Sequence, residues 1–145
     1  IHNGALAGLV SICAGSDQVH PIGALATGAI AGFIFVKGFI WEQEKLKIDD
    51  VLGVWPLHGL AGSWGGLACG IFGQEALGGM GKVSFIAQSI GTLTAIIVAL
   101  FFGFTVYKIL DVTVGIRLTK EEEQKGSDLT LHKIESYPED KSSRF

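Results

Sequence analysis

The chain contains few charged residues, prolines and cysteines for its length. Only 17% of its 145 residues are charged, and it has three prolines, two cysteines and one methionine. Cys13 and Cys69 both lie in apolar segments, where a small buried hydrophobic residue is the default interpretation over a disulfide or a metal ligand. The sequence has no phosphate-binding loop, no pair of catalytic carboxylates, no nucleophile constellation, no Cys/His metal spacing and no basic nucleic-acid face. These absences argue against an enzyme, a metal or other cofactor, and a nucleic-acid partner.

The residues that are abundant indicate a membrane protein. The chain has 21 glycines and 48% hydrophobic residues, and its mean hydropathy is +0.44. Transmembrane helices tolerate glycine because it lets helix backbones approach closely. The sequence begins at Ile1 without an initiator methionine, a basic n-region or a cleavage site, so we expect no signal peptide. We interpret the chain as a piece of a longer protein.

The apolar runs predict an all-α, polytopic membrane helix bundle. Residues 4–15 are too short to span a bilayer alone, so a truncated helix is predicted at about 1–15. Three complete helices are predicted at about 21–41, 51–73 and 84–116, with Pro21 in the first turn of the earliest. Residues 1–116 are thus assigned to the membrane domain and residues 117–145 to a charged C-terminal tail.

The distribution of basic residues predicts the orientation of these helices. Lys82 is the only basic residue on one side. The opposite side collects Lys37, Lys45, Lys47, Lys108, Arg117, Lys120 and Lys125. Because basic residues concentrate on the cytoplasmic side, we expect the loop 42–50 and the C-terminus in the cytoplasm of a multi-pass protein of the plasma (inner) membrane.

Small residues recur at every fourth position in the predicted helices. Gly28 and Gly32 form one such stripe, and Gly62, Gly66 and Gly70 form another. Residues four apart lie on one face of a helix, where glycines permit close contact with a neighbour. We interpret both stripes as helix-packing surfaces.

His58 is the most unusual residue in the apolar sequence. It lies in the uncharged segment 51–73, which is long enough to cross a bilayer. An imidazole at this depth must find partners for its N–H group and its lone pair, so it usually faces a cavity or a pathway. Helical spacing predicts that Gly62, Gly65 and Cys69 share its face and form a narrow wall suited to a small solute. The alternative is a packing histidine bonded to a neighbouring carbonyl.

Other polar and aromatic residues surround this segment. Pro56 removes a backbone hydrogen bond and predicts a local kink. Asp49 and Asp50 precede the helix, where we expect them to cap free N–H groups; the alternative is a role in fixing a cytoplasmic pore mouth. Trp55 and Trp64 are interpreted as packing residues rather than as the lining of a path.

Three stretches of the sequence carry a resemblance. The first is 3–10, and the second runs from Ile48-Asp49-Asp50 through Leu57-His58-Gly59 to Trp64-Gly65. The third is the tail, which contains in order Gly115, Arg117, Glu121, Glu122, Gly126, Asp128, His132 and Tyr137. Up to about Tyr137 the chain resembles the C-terminal part of an ammonium transporter of the Amt/Mep/Rh family.

The resemblance implies an eleven-helix protomer in a homotrimer, in which each protomer has its own hydrophobic pore. His58 would be the second of two hydrogen-bonded pore histidines, whose partner belongs to an earlier helix absent from this sequence. Asp50 matches a family aspartate at the cytoplasmic start of this helix, whereas Gly53 stands where many relatives have an acidic residue. The tail and the loop 42–50 resemble surfaces that contact PII-type regulators.

The functional prediction is transport of ammonium or ammonia across the lipid bilayer through a pore lined by the histidine pair. Whether the carried species is NH₃ or NH₄⁺ stays open. One alternative is an ammonium sensor of the same fold, which binds ammonium and signals through its cytoplasmic tail. Another is a structural membrane subunit in which His58 only packs.

Overall fold

A computed structural model describes residues 2–134, and within them every regular element is helical. The predicted all-α architecture is therefore confirmed. The longer helices are α1 (His2–Ile12), α2 (Pro21–Trp41), α3 (Ala61–Phe72), α4 (Phe85–Thr113) and α5 (Lys120–Lys125). Shorter 3₁₀ or π-helical turns cover Cys13–Gly15, Glu42–Leu46, Trp55–Leu60, Glu75–Leu77 and Asp128–His132. The chain divides into two compact units, 1–100 and 101–145, which are described separately.

Two of the three predicted complete spans have the length and hydropathy needed to cross a membrane, namely Pro21–Leu46 and Phe85–Thr113. The first begins at Pro21, where the ring Nδ1 of His20 accepts a hydrogen bond from the backbone N–H of Ile22 at 3.2 Å. Proline suits the first helical position because it has no N–H to leave unpaired. The helix continues as a π-helical turn to Leu46 and ends at Lys47, whose φ is +57°.

The remaining predicted span, 51–73, begins later than the sequence indicates. Residues 51–53 form a turn rather than a helix, and helical structure starts at Val54. The reason is Gly53, whose φ of +69° lies in the left-handed region that interrupts a right-handed helix. The same residue is closely packed, since a Cβ there would lie 3.0 Å from the ring of Phe35.

Close backbone contacts join α1 to α2. A Cβ placed on Gly8 would lie 3.6 Å from the Cα of Gly28, and one on Gly32 would lie 3.8 Å from the carbonyl oxygen of Gly4. The stripe Gly28–Gly32 therefore faces the small residues of α1, the arrangement that lets two helices approach without side chains between them. The core beside this contact consists of Ala7, Ala31, Phe35, Leu57 and Ala61.

The helix α3 packs on two sides through glycines. On one side Gly65 lies against the backbone of Ser11 in α1. On the other side Gly66 lies against Thr92, and a Cβ on Gly70 would lie 3.0 Å from the Cα of Phe85. Since Gly70 meets the start of α4 and Gly66 meets a later turn, α3 and the first half of α4 run antiparallel.

The second unit contains the distal part of α4 and the described part of the tail. Lys108 and Asp111 form an exposed ion pair at 3.6 Å. α4 ends at Thr113, slightly earlier than predicted, and the left-handed φ of +72° at Gly115 is incompatible with its continuation. Thr119 and Glu122 then form a reciprocal capping box at the start of α5.

Candidate functional site

Asp50 fixes the start of the helical segment that carries His58. Its Oδ2 accepts a hydrogen bond from the backbone N–H of Trp55 at 2.8 Å. The amide of Asn3 in α1 donates to the carbonyl oxygen of Leu52 at 3.1 Å and ties the same turn to a second helix. Asp49, by contrast, is exposed and forms no side-chain hydrogen bond with the described residues. The capping predicted for the pair thus falls on Asp50.

The electrostatics of Asp50 follow from this position. Desolvation raises the pKa of its carboxyl group, but hydrogen bonds from the backbone N–H groups of residues 52–55 lower it by more, so the pKa lies below its usual value. Glu42, at the end of α2, is only 3% exposed, and its Oε2 has no hydrogen-bond partner among the described residues. A buried carboxyl group therefore lies at the start of the loop 42–50.

The pKa of Asp50 gives a test of its capping role. Because its folded pKa is depressed, its contribution to stability is fully present above its unfolded pKa of about 3.9 and is lost as pH falls through the folded value. We expect Asp50→Ala to lower the free energy of unfolding by about 1 kcal/mol near neutral pH. The measurement is thermal unfolding in detergent micelles as a function of pH. Asp49→Ala is the matched control, and an equal loss in both variants would contradict the assignment.

A π-helical turn places His58 in the chain. It covers Trp55–Leu60, and the N–H of Ala61 closes it by bonding to the carbonyl oxygen of Pro56. Such a turn inserts one extra residue relative to an α-helix, which rotates everything that follows about the helix axis. π-Helical turns are frequent at functional sites.

This rotation corrects the predicted surroundings of His58. Regular helical spacing placed Gly62, Gly65 and Cys69 on its face. Gly62 does lie there, but Gly65 packs against Ser11 and Cys69 is buried. Regular helical spacing does not apply here because the segment contains a turn wider than 3.6 residues.

His58 projects into a cavity of about 660 Å³ between the π-turn–α3 segment and α4. Its side chain is exposed, and it makes no hydrogen bond with the described residues. Its own segment contributes Trp55, Gly59, Leu60, Gly62 and Ser63 to the wall, and α4 contributes Thr92, Ala95, Ile96, Ala99 and Leu100. The wall is thus mainly apolar, and the imidazole is its one titratable group within the part of the chain that the structure describes.

The two tryptophans that the sequence assigned to packing have different environments. Trp64 is a packing residue, since its Nε1 donates to the carbonyl oxygen of Thr27 at 3.0 Å. Trp55 packs against the ring of Trp41 and also lines the cavity, where it is 39% exposed. The sequence could have indicated that Trp55 lies beside the same cavity as His58, because residues three apart share a helix face.

Nothing in the described part of the chain suggests a metal site. Residues 2–134 contain no group of three or more His, Cys, Asp or Glu side chains arranged to hold an ion. Cys13 and Cys69 are both free; Cys69 is buried as expected, whereas Cys13 is exposed and donates to the carbonyl oxygen of Leu9.

The tail residues predicted to be regulatory lie in turns and short helices of the second unit. Gly115 and Gly126 both have positive φ, and Arg117 pairs with Glu123 at 2.9 Å. Asp128 and His132 are the first and last residues of the final helical turn. Tyr137 lies outside the described residues. The capping box at Thr119 was not anticipated, although its Thr-x-x-Glu pattern is visible in the sequence.

Comparison with known proteins adds independent information. Residues 1–137 match the Ammonium Transporter Family. The chain is 45% identical to ammonium transporter Amt2 of Methanocaldococcus jannaschii over 95% of its own length and 33% of that protein. It is 38% identical to Amt2 of Archaeoglobus fulgidus, with 94% and 32% coverage, and 34% identical to the Bacillus subtilis ammonium transporter, with 93% and 35% coverage.

The chain therefore spans about a third of the length of these curated relatives. The family match extends over the two apolar spans, the His58 segment and the described tail. With nearly its whole length matched, this chain belongs to the ammonium transporter family and is part of a helical membrane bundle.

Proposed function

We propose that the protein containing this chain carries ammonium or ammonia across a membrane, and that the cavity beside His58 is part of the path. The observation that carries this proposal is an imidazole without a hydrogen-bond partner in the described residues, in an otherwise mainly apolar cavity. Family membership and the names of the relatives support ammonium as the solute.

The chemistry of the cavity fits a small, weakly basic solute. Moving a bare ammonium ion into an apolar environment is very costly, so the ion either loses a proton or is held by imidazole and aromatic groups. An imidazole such as that of His58 can donate or accept hydrogen bonds through its ring nitrogens and can relay a proton. A second histidine from a part of the protein outside this chain would complete the pair that the family resemblance implies.

The membrane orientation, the lipid contact, the assembly and the regulatory partner are proposed from other observations. The basic residues near the loop 42–50 and in the tail support a cytoplasmic location for both, in a multi-pass protein of the plasma or inner membrane. No residue of α4 is buried within the described part of the chain, so its apolar surface is available for contact with lipid or with helices outside this chain. A homotrimer and a PII-type regulatory partner are proposed from the resemblance alone, with the tail and the loop as candidate contact surfaces.

The test is a comparison of flux and binding in the full-length protein. Reconstituted into liposomes, it should give ammonium-dependent current or methylammonium uptake that empty liposomes lack. Calorimetric titration with ammonium on the same preparation measures binding independently. Binding without flux would overturn the transport proposal in favour of the ammonium sensor, and neither binding nor flux would leave only the structural-subunit interpretation.

A further inference from the structure

We propose that Trp55 is a substrate-binding residue of this path, with its indole face binding an ammonium-class cation at the end of the cavity next to the loop 42–50. The inference rests on the proposed function and extends it to the loop-side end. The sequence assigned Trp55 only to packing.

The position of Trp55 in the cavity is the first support. The antiparallel arrangement of α3 and α4 orders the lining, with Ser63 and Thr92 toward one end and Trp55 and Leu100 toward the other. Trp55 lies three residues before His58 in the π-helical turn, and its backbone N–H donates to the Asp50 carboxylate at the end of the loop 42–50. A solute that passes His58 toward the loop therefore meets the indole next.

The second support is that the indole is held in place. A Cβ on Gly59 would lie 3.2 Å from Cδ1 and 3.4 Å from Nε1 of Trp55, so the absence of a side chain there lets the ring rest against the helix backbone. The ring of Trp41, from the end of α2, packs against Trp55 with centroids 5.9 Å apart. A binding group that is already positioned loses less entropy when the ligand arrives.

The third support is electrostatic. Trp55 lies at the start of a helical segment, where unpaired N–H groups would repel a cation. The carboxylate of Asp50 accepts hydrogen bonds from those N–H groups, and its negative charge offsets the repulsion. Among the described residues the cavity wall contains no acidic side chain, which leaves the aromatic face as its cation-attracting surface. Tryptophan is the strongest of the aromatic side chains in attracting cations.

The proposal predicts that a change at Trp55 weakens the affinity for ammonium supplied from the loop side but not for ammonium supplied from the opposite side. In the full-length protein reconstituted with known orientation, Trp55→Leu should raise KM for ammonium supplied from the loop side by about 3- to 30-fold. KM for ammonium supplied from the opposite side should stay within about twofold, because His58 and the far end are unchanged. Val54→Leu is the matched control, since Val54 is exposed but does not line the cavity.

Trp55→Phe separates the aromatic face from the indole N–H, which has no partner among the described residues. Phenylalanine keeps a weaker π face and has no donor, so KM should lie between those of wild type and Trp55→Leu. If Trp55→Phe behaves like Trp55→Leu, the N–H group rather than the ring face binds the solute and the proposal is wrong. An unchanged loop-side KM in Trp55→Leu would also overturn it.

Calorimetric titration with ammonium keeps this inference distinct from the proposed function. If wild type binds ammonium but carries none, the transport proposal fails, and the affinity of Trp55→Leu then decides the role of Trp55: a loss of about 3-fold or more supports it, and no loss overturns it. If wild type transports ammonium normally and Trp55→Leu does the same from both sides, only the inference fails. If wild type neither binds nor carries ammonium, both are wrong.

Discussion

Replacing His58 by alanine in the full-length protein is expected to lower ammonium flux roughly 10- to 100-fold. This corresponds to losing one or two hydrogen bonds to a solute that has left water, at about 1.4 kcal/mol for each factor of ten. The Ser63 hydroxyl of the same wall is a poor substitute, because it already donates to the carbonyl oxygen of Gly59. The measurement is ammonium-dependent current in liposomes at matched protein content.

His20 offers a matched histidine control for this experiment. It lies outside the His58 cavity and accepts a hydrogen bond from the N–H of Ile22 at the start of α2. Asparagine is among the preferred N-cap residues. His20→Asn therefore removes an imidazole while preserving the N-cap, and it should leave the flux within about twofold. If His58→Ala transports like wild type while the protein stays folded and assembled, His58 is a packing residue and the proposed path is wrong.

The broad fold could be predicted because its signals are local and strong. Long apolar runs, the start of α2 at Pro21 and the change to a charged tail each depend on neighbouring residues. These features require only the helical hydrogen-bond pattern and the polarity of the side chains. The position of His58 in an apolar helical segment followed from the same information.

The detail around His58 could not be predicted, since it depends on two departures from regular helix. The left-handed Gly53 delays the start of the segment, and the π-helical turn at Trp55–Leu60 rotates the residues after it. Sequence periodicity assumes an unbroken helix and therefore assigned Gly65 and Cys69 to the wrong face. The pairing of Trp55 with Trp41 and the burial of Glu42 are tertiary contacts that no local pattern records.

Gly65 illustrates the consequence of that rotation, and its replacement should have the largest effect on folding. A Cβ at Gly65 would overlap the carbonyl oxygen of Ser11 and lie 2.8 Å from both its carbonyl carbon and its Cα. All these atoms are backbone, so no side-chain rotation can relieve the contact. We expect Gly65→Ala to lower the free energy of unfolding by about 3 kcal/mol or more, the upper part of the range for overpacking, by forcing α1 and α3 apart.

The control is another helical glycine without such a neighbour. A Cβ on Gly103 in α4 would meet no heavy atom within 4 Å, and alanine has a higher helix propensity than glycine, so Gly103→Ala should be neutral or stabilising by about 0.5–1 kcal/mol. Thermal unfolding in detergent micelles compares the two variants. Equal stability of Gly65→Ala and Gly103→Ala would mean that α1 and α3 do not cross at Gly65. A loss of stability in Gly65→Ala alone would confirm that α1 and α3 cross at Gly65. It would also support the rotation of α3 that leaves Gly62 beside His58.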